Sequence, residues 1–353
     1  MAFAASLLRM SVYSILASVL AASAPALAQE VTGAGSTFVY PVMAKWSAAY
    51  SSKGQGRVLY HPIGSGAGIA EIKSGALDFG ASDAPLKPGE LLQAGLEQFP
   101  LVIGGIVPVV NIAGIKAGEL KLTGSILADI YLGKVKRWSD PAIAALNPGL
   151  PLPEMAITVA HRLDSSGTTF NWAYYLSKAS NEWRSKVGWG TNISWPVGVG
   201  GKGNDGLGVL VGQTPNSIGY VEYAYALSKK LTYAVVRNKA GNFVTPNAAS
   251  FQAAATSANW AGTSNFNLMV ADGPGEEAYP IAATVFVLMH REPAVPARRT
   301  ATLSFFRWVF HEGQTIASEL NYVPLPPALV AHIEKTAFDG KRLTMKGAFD
   351  EDQ

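Results

Sequence analysis

The chain has 353 residues, a formal net charge of +3 at pH 7 and only 15% charged residues. Since no run of Lys and Arg stands out, this charge does not indicate a nucleic-acid-binding protein. The sequence has no cysteine, which excludes disulfides and a lipid-modified N-terminal cysteine. The length suffices for two domains of ordinary size, each with its own hydrophobic core.

The first 28 residues have the pattern of a secretory signal peptide. Arg9 precedes an apolar run at residues 11–22, and Ala26-Leu27-Ala28 is an A-x-A cleavage site. The apolar run is shorter than the ~20 residues that a membrane-spanning helix needs. We therefore predict cleavage after Ala28 and a periplasmic mature protein that does not insert into the membrane.

The region after this signal peptide repeats one pattern. Strand-like runs at residues 31–38, 58–60 and 77–82 each end in a short loop, and helical spacing resumes at Val39 and at Ile69. Strands that alternate with helices predict an α/β fold with a mainly parallel sheet. Such sheets bind ligands at the carboxyl ends of their strands, which is where these loops lie.

The rest of the chain predicts a second lobe and a return to the first. Residues 102–112 are typical of a buried strand, and a strand predicted at residues 284–289 returns the chain to the first lobe. We expect lobe I to comprise residues 29–112 and 282–353, and lobe II residues 113–281, each lobe being a mainly parallel sheet flanked by helices. Two crossings form a hinge, and a cleft between lobes is a common ligand site.

Within the second lobe, residues 162–168 read Arg-Leu-Asp-Ser-Ser-Gly-Thr, between a strand-like run at 157–160 and a helix-like run at 170–176. A turn that opens a helix presents unpaired N–H groups at the positive end of the helix dipole, which favours an anion. Arg162 adds planar donors that match two oxygens of a phosphate or carboxylate, and Asp164 is placed to hold them. The alternative is an ordinary N-cap beside a surface arginine.

A second glycine-rich segment, at residues 198–203, has the G-x-G-x-x-G spacing. We reject a dinucleotide site, because Pro196 interrupts the strand that should precede it. A P-loop is also rejected, because Lys202 is followed by Gly203 and not by Ser or Thr. We interpret the segment as a tight turn that opens a helix after Asn204-Asp205.

Six segments carry long and specific motifs, at residues 32–38, 78–85, 131–134, 164–168, 200–206 and 218–225. Examples are Thr-Gly-Ala-Gly-Ser-Thr-Phe at residues 32–38 and Asp-Phe-Gly-Ala-Ser-Asp-Ala-Pro at residues 78–85. Over essentially the whole mature chain, the sequence resembles the periplasmic phosphate-binding proteins of the high-affinity bacterial phosphate (Pst) ABC transporters.

This resemblance implies a two-lobed, type II-like solute-binding protein that closes over one dehydrated inorganic phosphate and delivers it to a membrane permease. It implies a monomer that uses no metal or cofactor and is not an enzyme. The phosphate ligands that it implies are Thr37, Phe38 (through its backbone N–H), Ser65, Asp83, Arg162, Ser166, Gly167 and Thr168, with Asp164 pairing with the arginine. Ser165 replaces a glycine of the family, which would matter if that position needed a positive φ.

The aspartate among these residues explains how such a site would select phosphate. An ionised carboxylate can only accept hydrogen bonds, and phosphate near neutral pH still carries a proton to donate, whereas sulfate carries none. Facing sulfate, Asp83 would be an unpaired buried charge. The alternative role for Asp83 is a turn cap before Pro85, and for Thr37, Ser65, Ser166 and Thr168 it is plain N-capping.

Three other functions compete with phosphate capture. A binding protein for arsenate, sulfate or another oxyanion is the nearest alternative. A secreted hydrolase of phosphate esters is less well supported, since the sequence has no G-x-S-x-G motif and its five histidines are scattered. His161 adjoins the predicted site and is the candidate base for such an enzyme. A surface or adhesive protein would leave the converging loops unexplained.

Overall fold

The computed structural model describes residues 30–257 and 266–338 of the chain. The predicted signal peptide and its cleavage site lie outside these residues. Within the described ranges, no helix has both the length and the hydropathy that crossing a membrane requires.

The described part of the chain alternates strands with helices, as the sequence predicts. The strands are β1 (Glu30–Gly35), β2 (Arg57–His61), β3 (Phe79–Ser82), β4 (Leu96–Asn111), β5 (Lys121–Leu122), β6 (Thr158–Arg162), β7 (Val199–Gly201), β8 (Ser217–Glu222), β9 (Thr232–Tyr233), β10 (Val235–Arg237), β11 (Phe243–Val244) and β12 (Ala282–His290). The helices are α1 (Tyr40–Ser52), α2 (Ser65–Lys73), α3 (Pro88–Gln93), α4 (Gly124–Tyr131), α5 (Pro141–Ala144), α6 (Gly167–Ala179), α7 (Asn181–Lys186), α8 (Gly203–Gln213), α9 (Tyr223–Ser228), α10 (Ala248–Thr256), α11 (Pro296–His311), α12 (Gln314–Glu319) and α13 (Pro327–Ile333), which continues into a π-helix (Glu334–Phe338).

The main sheet has the strand order β2-β1-β3-β12-β4-β8-β6-β7, and β9 pairs with β4. Its outer strands are parallel: β1 pairs with β2 and β3, and β6 pairs with β7 and β8. The two central strands, β12 and β4, run antiparallel to their neighbours. A smaller sheet has the order β11-β10-β5. The α/β class predicted from the sequence is confirmed, and the sheet is mixed.

Strand β4 joins the two halves of the sheet. Its residues up to Gly105 pair with β12, and its residues from Ile106 onward pair with β8. We call β1, β2, β3, β12 and their helices the first half, and β6, β7, β8 and their helices the second half. The exact lobe limits of the sequence analysis, 29–112 with 282–353 and 113–281, stay a prediction.

Aromatic side chains fill the core beneath the loops of each half. In the first half, the Phe306 ring lies edge-on to Phe79 and Phe99, at centroid distances of 5.0 and 5.6 Å. In the second half, Trp172 stacks on Tyr220 at 4.9 Å. Such large buried rings supply much of the apolar burial of a core and are held in few orientations. The loops at the strand ends are therefore supported by rigid packing.

Candidate functional site

Loops from the two halves meet at one place. From the first half come the loops after β1 and β3 and the start of α2, and from the second half come the loops after β6 and β7. Hydrogen bonds join them: Thr168 Oγ1 donates to Asp83 Oδ2 at 3.1 Å, and the Gly66 N–H donates to the Ser165 carbonyl at 3.0 Å. In another, the Asn204 N–H donates to Thr37 Oγ1 at 3.3 Å.

The centre of this contact region is the carboxylate of Asp83, which is 1% exposed. The Ser36 hydroxyl donates to its Oδ1 and the Thr168 hydroxyl to its Oδ2. Its backbone is held as well, since the Asp83 N–H donates to Ser65 Oγ at 3.3 Å and its carbonyl accepts from Asn171 Nδ2 at 2.7 Å. A buried carboxylate that receives two hydroxyl groups has a fixed position and orientation.

Burial raises the pKa of Asp83 from 3.8 to about 6. The hydrogen bonds of Ser36 and Thr168 and the positive charge of Arg162 oppose that rise, whereas the negative charge of Asp164 adds to it. Above pH 6 the carboxyl group is therefore mainly ionised and can only accept hydrogen bonds. This is the protonation state that recognition of a proton-bearing anion requires.

Arg162 lies at the end of β6 with a side chain that is 1% exposed. Its Nε donates to Asp164 Oδ1 at 2.7 Å, and its Nη2 donates to Asp164 Oδ2. This bidentate pair fixes the plane of the guanidinium group. Burial tends to raise the pKa of Asp164, but the hydrogen bonds and charge of Arg162 and the Gly203 N–H outweigh it, so this pKa is lowered.

Helix α6 begins at Gly167, in the loop that follows Arg162 and next to the Asp83 carboxyl group. Ser166 is its N-cap, with Oγ accepting from the Thr169 N–H at 3.1 Å. The N–H groups of Gly167 and Thr168 have no partner within the helix and lie at the positive end of its dipole. A Cβ at Gly167 would lie 2.5 Å from Ser65 Oγ and 2.8 Å from Asp83 Cγ, so only glycine permits this approach of the halves.

The loop after β1, which we call the first loop, is held by hydrogen bonds on both sides of Thr37. The Phe38 N–H, which the sequence analysis assigned to the ligand, donates to Ser36 Oγ at 3.0 Å in this structure. The Phe38 side chain is fully buried, and its carbonyl accepts from the Tyr322 hydroxyl at 2.7 Å. Tyr60 donates to the Ser36 carbonyl at 2.8 Å. Thr37 lies between these anchored residues and faces α8.

The unusual Ser165 causes no strain in the loop after β6. Its φ is not positive, so the position does not need glycine. Its side chain packs against Gly66 of the opposite half, where an added Cβ would lie 1.9 Å from Ser165 Oγ. The serine is therefore accommodated because position 66 is glycine.

His161 is partly buried beside Trp195 in the second half. Its ring stacks on Trp195 at 4.9 Å with an interplanar angle of 12°, and its Nδ1 lies 3.2 Å from the Arg162 carbonyl. Burial lowers its pKa, which favours the neutral ring at pH 7. Among residues 30–257 and 266–338, no group of three or more His, Asp and Glu side chains is placed to hold a metal ion.

The structure brings the predicted site residues into one contact region, and three further residues that were not predicted make hydrogen bonds to them: Ser36, Asn171 and Asn204. Ser36 stands in the same motif as Thr37. Asn171 lies four residues after Gly167 on α6 and donates to its carbonyl at 3.0 Å. A polar residue one helical turn after a predicted binding position is a usable signal, because the two share a helix face.

Residues 20–312 match the model of the PBP superfamily domain. The phosphate-binding protein PstS of Xylella fastidiosa (strain 9a5c) is 53% identical over 305 residues, which cover 86% of this chain and 84% of that protein. The chain belongs to the PstS family of phosphate-binding proteins. This confirms the resemblance inferred from the motifs.

Further similarities agree with this family. The PstS of Pasteurella multocida (strain Pm70) is 48% identical over 322 residues, covering 90% of this chain and 94% of that protein. A crystal structure of a putative phosphate ABC transporter substrate-binding protein from Clostridium perfringens, with bound phosphate, covers 84% of this chain and 100% of its own. Its TM-score is 0.62 at 21% identity, which supports the fold. Membership in the PstS family identifies a binding protein and not an enzyme.

Proposed function

We propose that this protein captures inorganic phosphate between its two halves and delivers it to the membrane permease of an ABC phosphate transporter. Membership in the PstS family supplies the ligand class. The proposed phosphate contacts are those of the sequence analysis: Thr37, the Phe38 backbone, Ser65, Asp83, Arg162, Ser166, Gly167 and Thr168, with Asp164 holding the arginine.

One observation carries the proposal: a fully buried aspartate stands in the same contact region as a buried arginine and a helix N-terminus. A site for a fully ionised anion gains nothing from a carboxylate, because it repels the ligand and stays unpaired. A monohydrogen or dihydrogen phosphate donates a hydrogen bond from its P–OH group to that carboxylate. The arginine and the N–H groups of α6 then donate hydrogen bonds to the other phosphate oxygens.

The low charge of the site suits an enclosed ligand. A tetrahedral anion that loses its water needs hydrogen-bond donors in many directions. Hydroxyl groups of Thr37, Ser65 and Ser166 supply neutral donors, and the helix N-terminus supplies partial positive charge. Because Asp164 neutralises Arg162, binding does not depend on an excess of positive side chains.

We also propose that the mature protein begins at Gln29, after removal of the signal peptide, and acts as a monomer in the periplasm. Light scattering and N-terminal sequencing of the exported protein test these points. A membrane-retained protein that begins at Met1, or a stable dimer, would contradict them.

The decisive experiment assays the protein as purified for bound inorganic phosphate, then strips it and titrates it with phosphate, arsenate and sulfate by calorimetry. We expect one phosphate per chain and sulfate binding weaker by about 10⁴-fold, the discrimination typical of a site with a paired polar group. Equal binding of sulfate would contradict the proposal. Incubation with a chromogenic phosphate ester should release no product, and turnover would favour a hydrolase.

A further inference from the structure

Asn204 connects the two halves without being a proposed phosphate ligand. It is the second residue of α8 and is 1% exposed. Its N–H donates to Thr37 Oγ1 and its Nδ2 donates to the Thr37 carbonyl, both at 3.3 Å. Its Oδ1 accepts from Arg162 Nη1 at 3.5 Å, the longest of the three contacts. One amide side chain therefore touches the arginine of the second half and the first loop of the first half.

The start of α8 is fixed within the second half. The Gly203 N–H donates to Asp164 Oδ1 at 2.8 Å, so the helix is joined to the same carboxylate that holds Arg162. A Cβ at Gly201 would lie 2.7 Å from Leu207 Cα, which shows how closely β7 packs against α8. Asn204 is thus positioned by its own half, and its contacts with Thr37 are the ones that separation of the halves would break.

We propose that Asn204 is a positioning residue that couples closure of the halves to the orientation of Arg162. The Asn204 amide has both an acceptor for Arg162, on Oδ1, and a donor for the Thr37 carbonyl, on Nδ2. When the halves close, the Thr37 carbonyl takes the Nδ2 donor, and the Oδ1 acceptor is then turned toward the guanidinium group. This inference rests on the proposed phosphate function.

The first test measures phosphate binding to Asn204→Ala by stopped flow. We expect the dissociation rate to rise about tenfold, the effect of losing one or two buried hydrogen bonds. The association rate should change by less than about twofold, because substitutions within one binding site act mostly on dissociation. An unchanged dissociation rate would overturn the proposal.

A second variant covers the possibility that alanine disturbs folding. Asn204→Asp keeps the size and the acceptor for Arg162, and aspartate is favourable in the first turn of a helix. It loses the donor and places a carboxylate oxygen against the Thr37 carbonyl. We expect phosphate to dissociate at least as fast as from Asn204→Ala, whereas native affinity would show that the contact with Thr37 is not used.

Closure itself is measured by the distance between two spin labels. Because the sequence has no cysteine, labels at Ser74→Cys and Ser185→Cys, both exposed and on opposite halves, react at single sites. With saturating phosphate, the doubly labelled native protein should show one short distance. Asn204→Ala in the same background should retain a second, longer distance, and a single short distance would contradict the coupling.

The matched control is Asn111→Ala. Asn111 Nδ2 donates to the carbonyls of Val211 and Gly212, at the other end of α8, at 3.1 and 3.0 Å. This change removes contacts to the same helix but none to Thr37, so dissociation and label distance should stay native. If the native protein bound no phosphate at all, the proposed function would fail. Native phosphate binding with unaltered Asn204 variants would overturn only the coupling.

Discussion

The site contains two buried carboxylates whose pKa values shift in opposite directions. Burial raises the pKa of Asp83 to about 6, whereas the hydrogen bonds and charge of Arg162 hold the pKa of Asp164 below its ordinary value despite burial. Asp83 is buried and Asp164 is partly buried, and burial tends to raise the pKa of both groups. The difference comes from the partner: Asp164 has a bidentate arginine, and Asp83 has two neutral hydroxyl groups.

This comparison indicates a division of tasks between the halves. The second half attracts the anion, through Arg162 and the start of α6, and Asp164 keeps the arginine in place. The first half recognises the protonated oxygen of the anion, through a hydrogen bond to Asp83. Asp164, which is paired with the arginine, thus has a structural task, whereas Asp83, which has no bidentate ionic partner, is available to accept a hydrogen bond from the ligand.

The largest effect is expected from Arg162→Ala. It removes the charged donors of the site and leaves the partly buried Asp164 carboxylate without its ionic partner. Phosphate affinity should fall by about 10³-fold, which is about 4 kcal/mol. Calorimetric titration measures the loss, and circular dichroism checks that the protein is folded. The control Arg298→Ala changes an arginine that is 3.5 Å from Asp78 and outside the site, so it should bind as the native protein does.

The next effect is on selectivity. Asp83→Asn replaces the acceptor-only carboxylate with a neutral amide that can also donate through Nδ2, so phosphate loses a charged acceptor and sulfate no longer meets a negative charge. We expect the phosphate-over-sulfate preference to narrow by about 10²-fold or more. Competition binding measures it. Asp78→Asn in the same half, where Asp78 accepts from the Thr32 N–H at 2.8 Å, should keep the native preference, and unchanged selectivity in Asp83→Asn would exclude the carboxylate as the selector.

The opposite pKa shifts also predict opposite effects on the stability of the phosphate-free protein. For Asp83 the folded state binds a proton more tightly than the unfolded state, so stability falls as pH rises from about 4 to 6. Replacing it with asparagine should therefore stabilise the protein above pH 6, by up to about 3 kcal/mol.

For Asp164 the sign is reversed. Its lowered pKa means that ionisation stabilises the folded state above the unfolded pKa, and this stability is lost as pH falls. Asp164→Asn should thus destabilise the protein at pH 7, by roughly 1–3 kcal/mol for one charged hydrogen-bonded partner. Urea unfolding of both variants from pH 4 to 8 measures the two signs. A shift in the same direction for both would remove the distinction drawn between them.

The sequence predicted the meeting of the loops because parallel strands present their carboxyl ends at one edge of a sheet. It did not predict the direction of β4 and β12. Both are almost continuous apolar runs, and such a run has no periodicity that distinguishes a parallel from an antiparallel neighbour. The sequence analysis predicted a strand at residues 102–112, but the observed strand β4 begins at Leu96. It changes partner after Gly105 with no break in the apolar pattern.

The residues that were missed depend on contacts distant in sequence. Asn171 and Asn204 lie within helices, where an asparagine is usually exposed, and their partners are 88 and 167 positions away. No local pattern encodes such a contact. Thr37, Asp83 and Arg162 were accessible to prediction because each lies close to the carboxyl end of a strand: Arg162 ends β6, Asp83 follows β3, and Thr37 lies two residues after β1.

The smallest effect is expected from a change at Ser165, where the loop after β6 contacts the first half. Ser165 packs on Gly66 of the first half, yet its φ needs no glycine. In Ser165→Gly the carbonyl that accepts the Gly66 N–H is retained, so phosphate affinity should change by less than about threefold. The unfolded chain gains freedom, and the free energy of unfolding should fall by about 0.4–1 kcal/mol. Calorimetric titration and urea unfolding measure both, and a large loss of affinity with unchanged stability would show that Ser165 acts on the ligand directly.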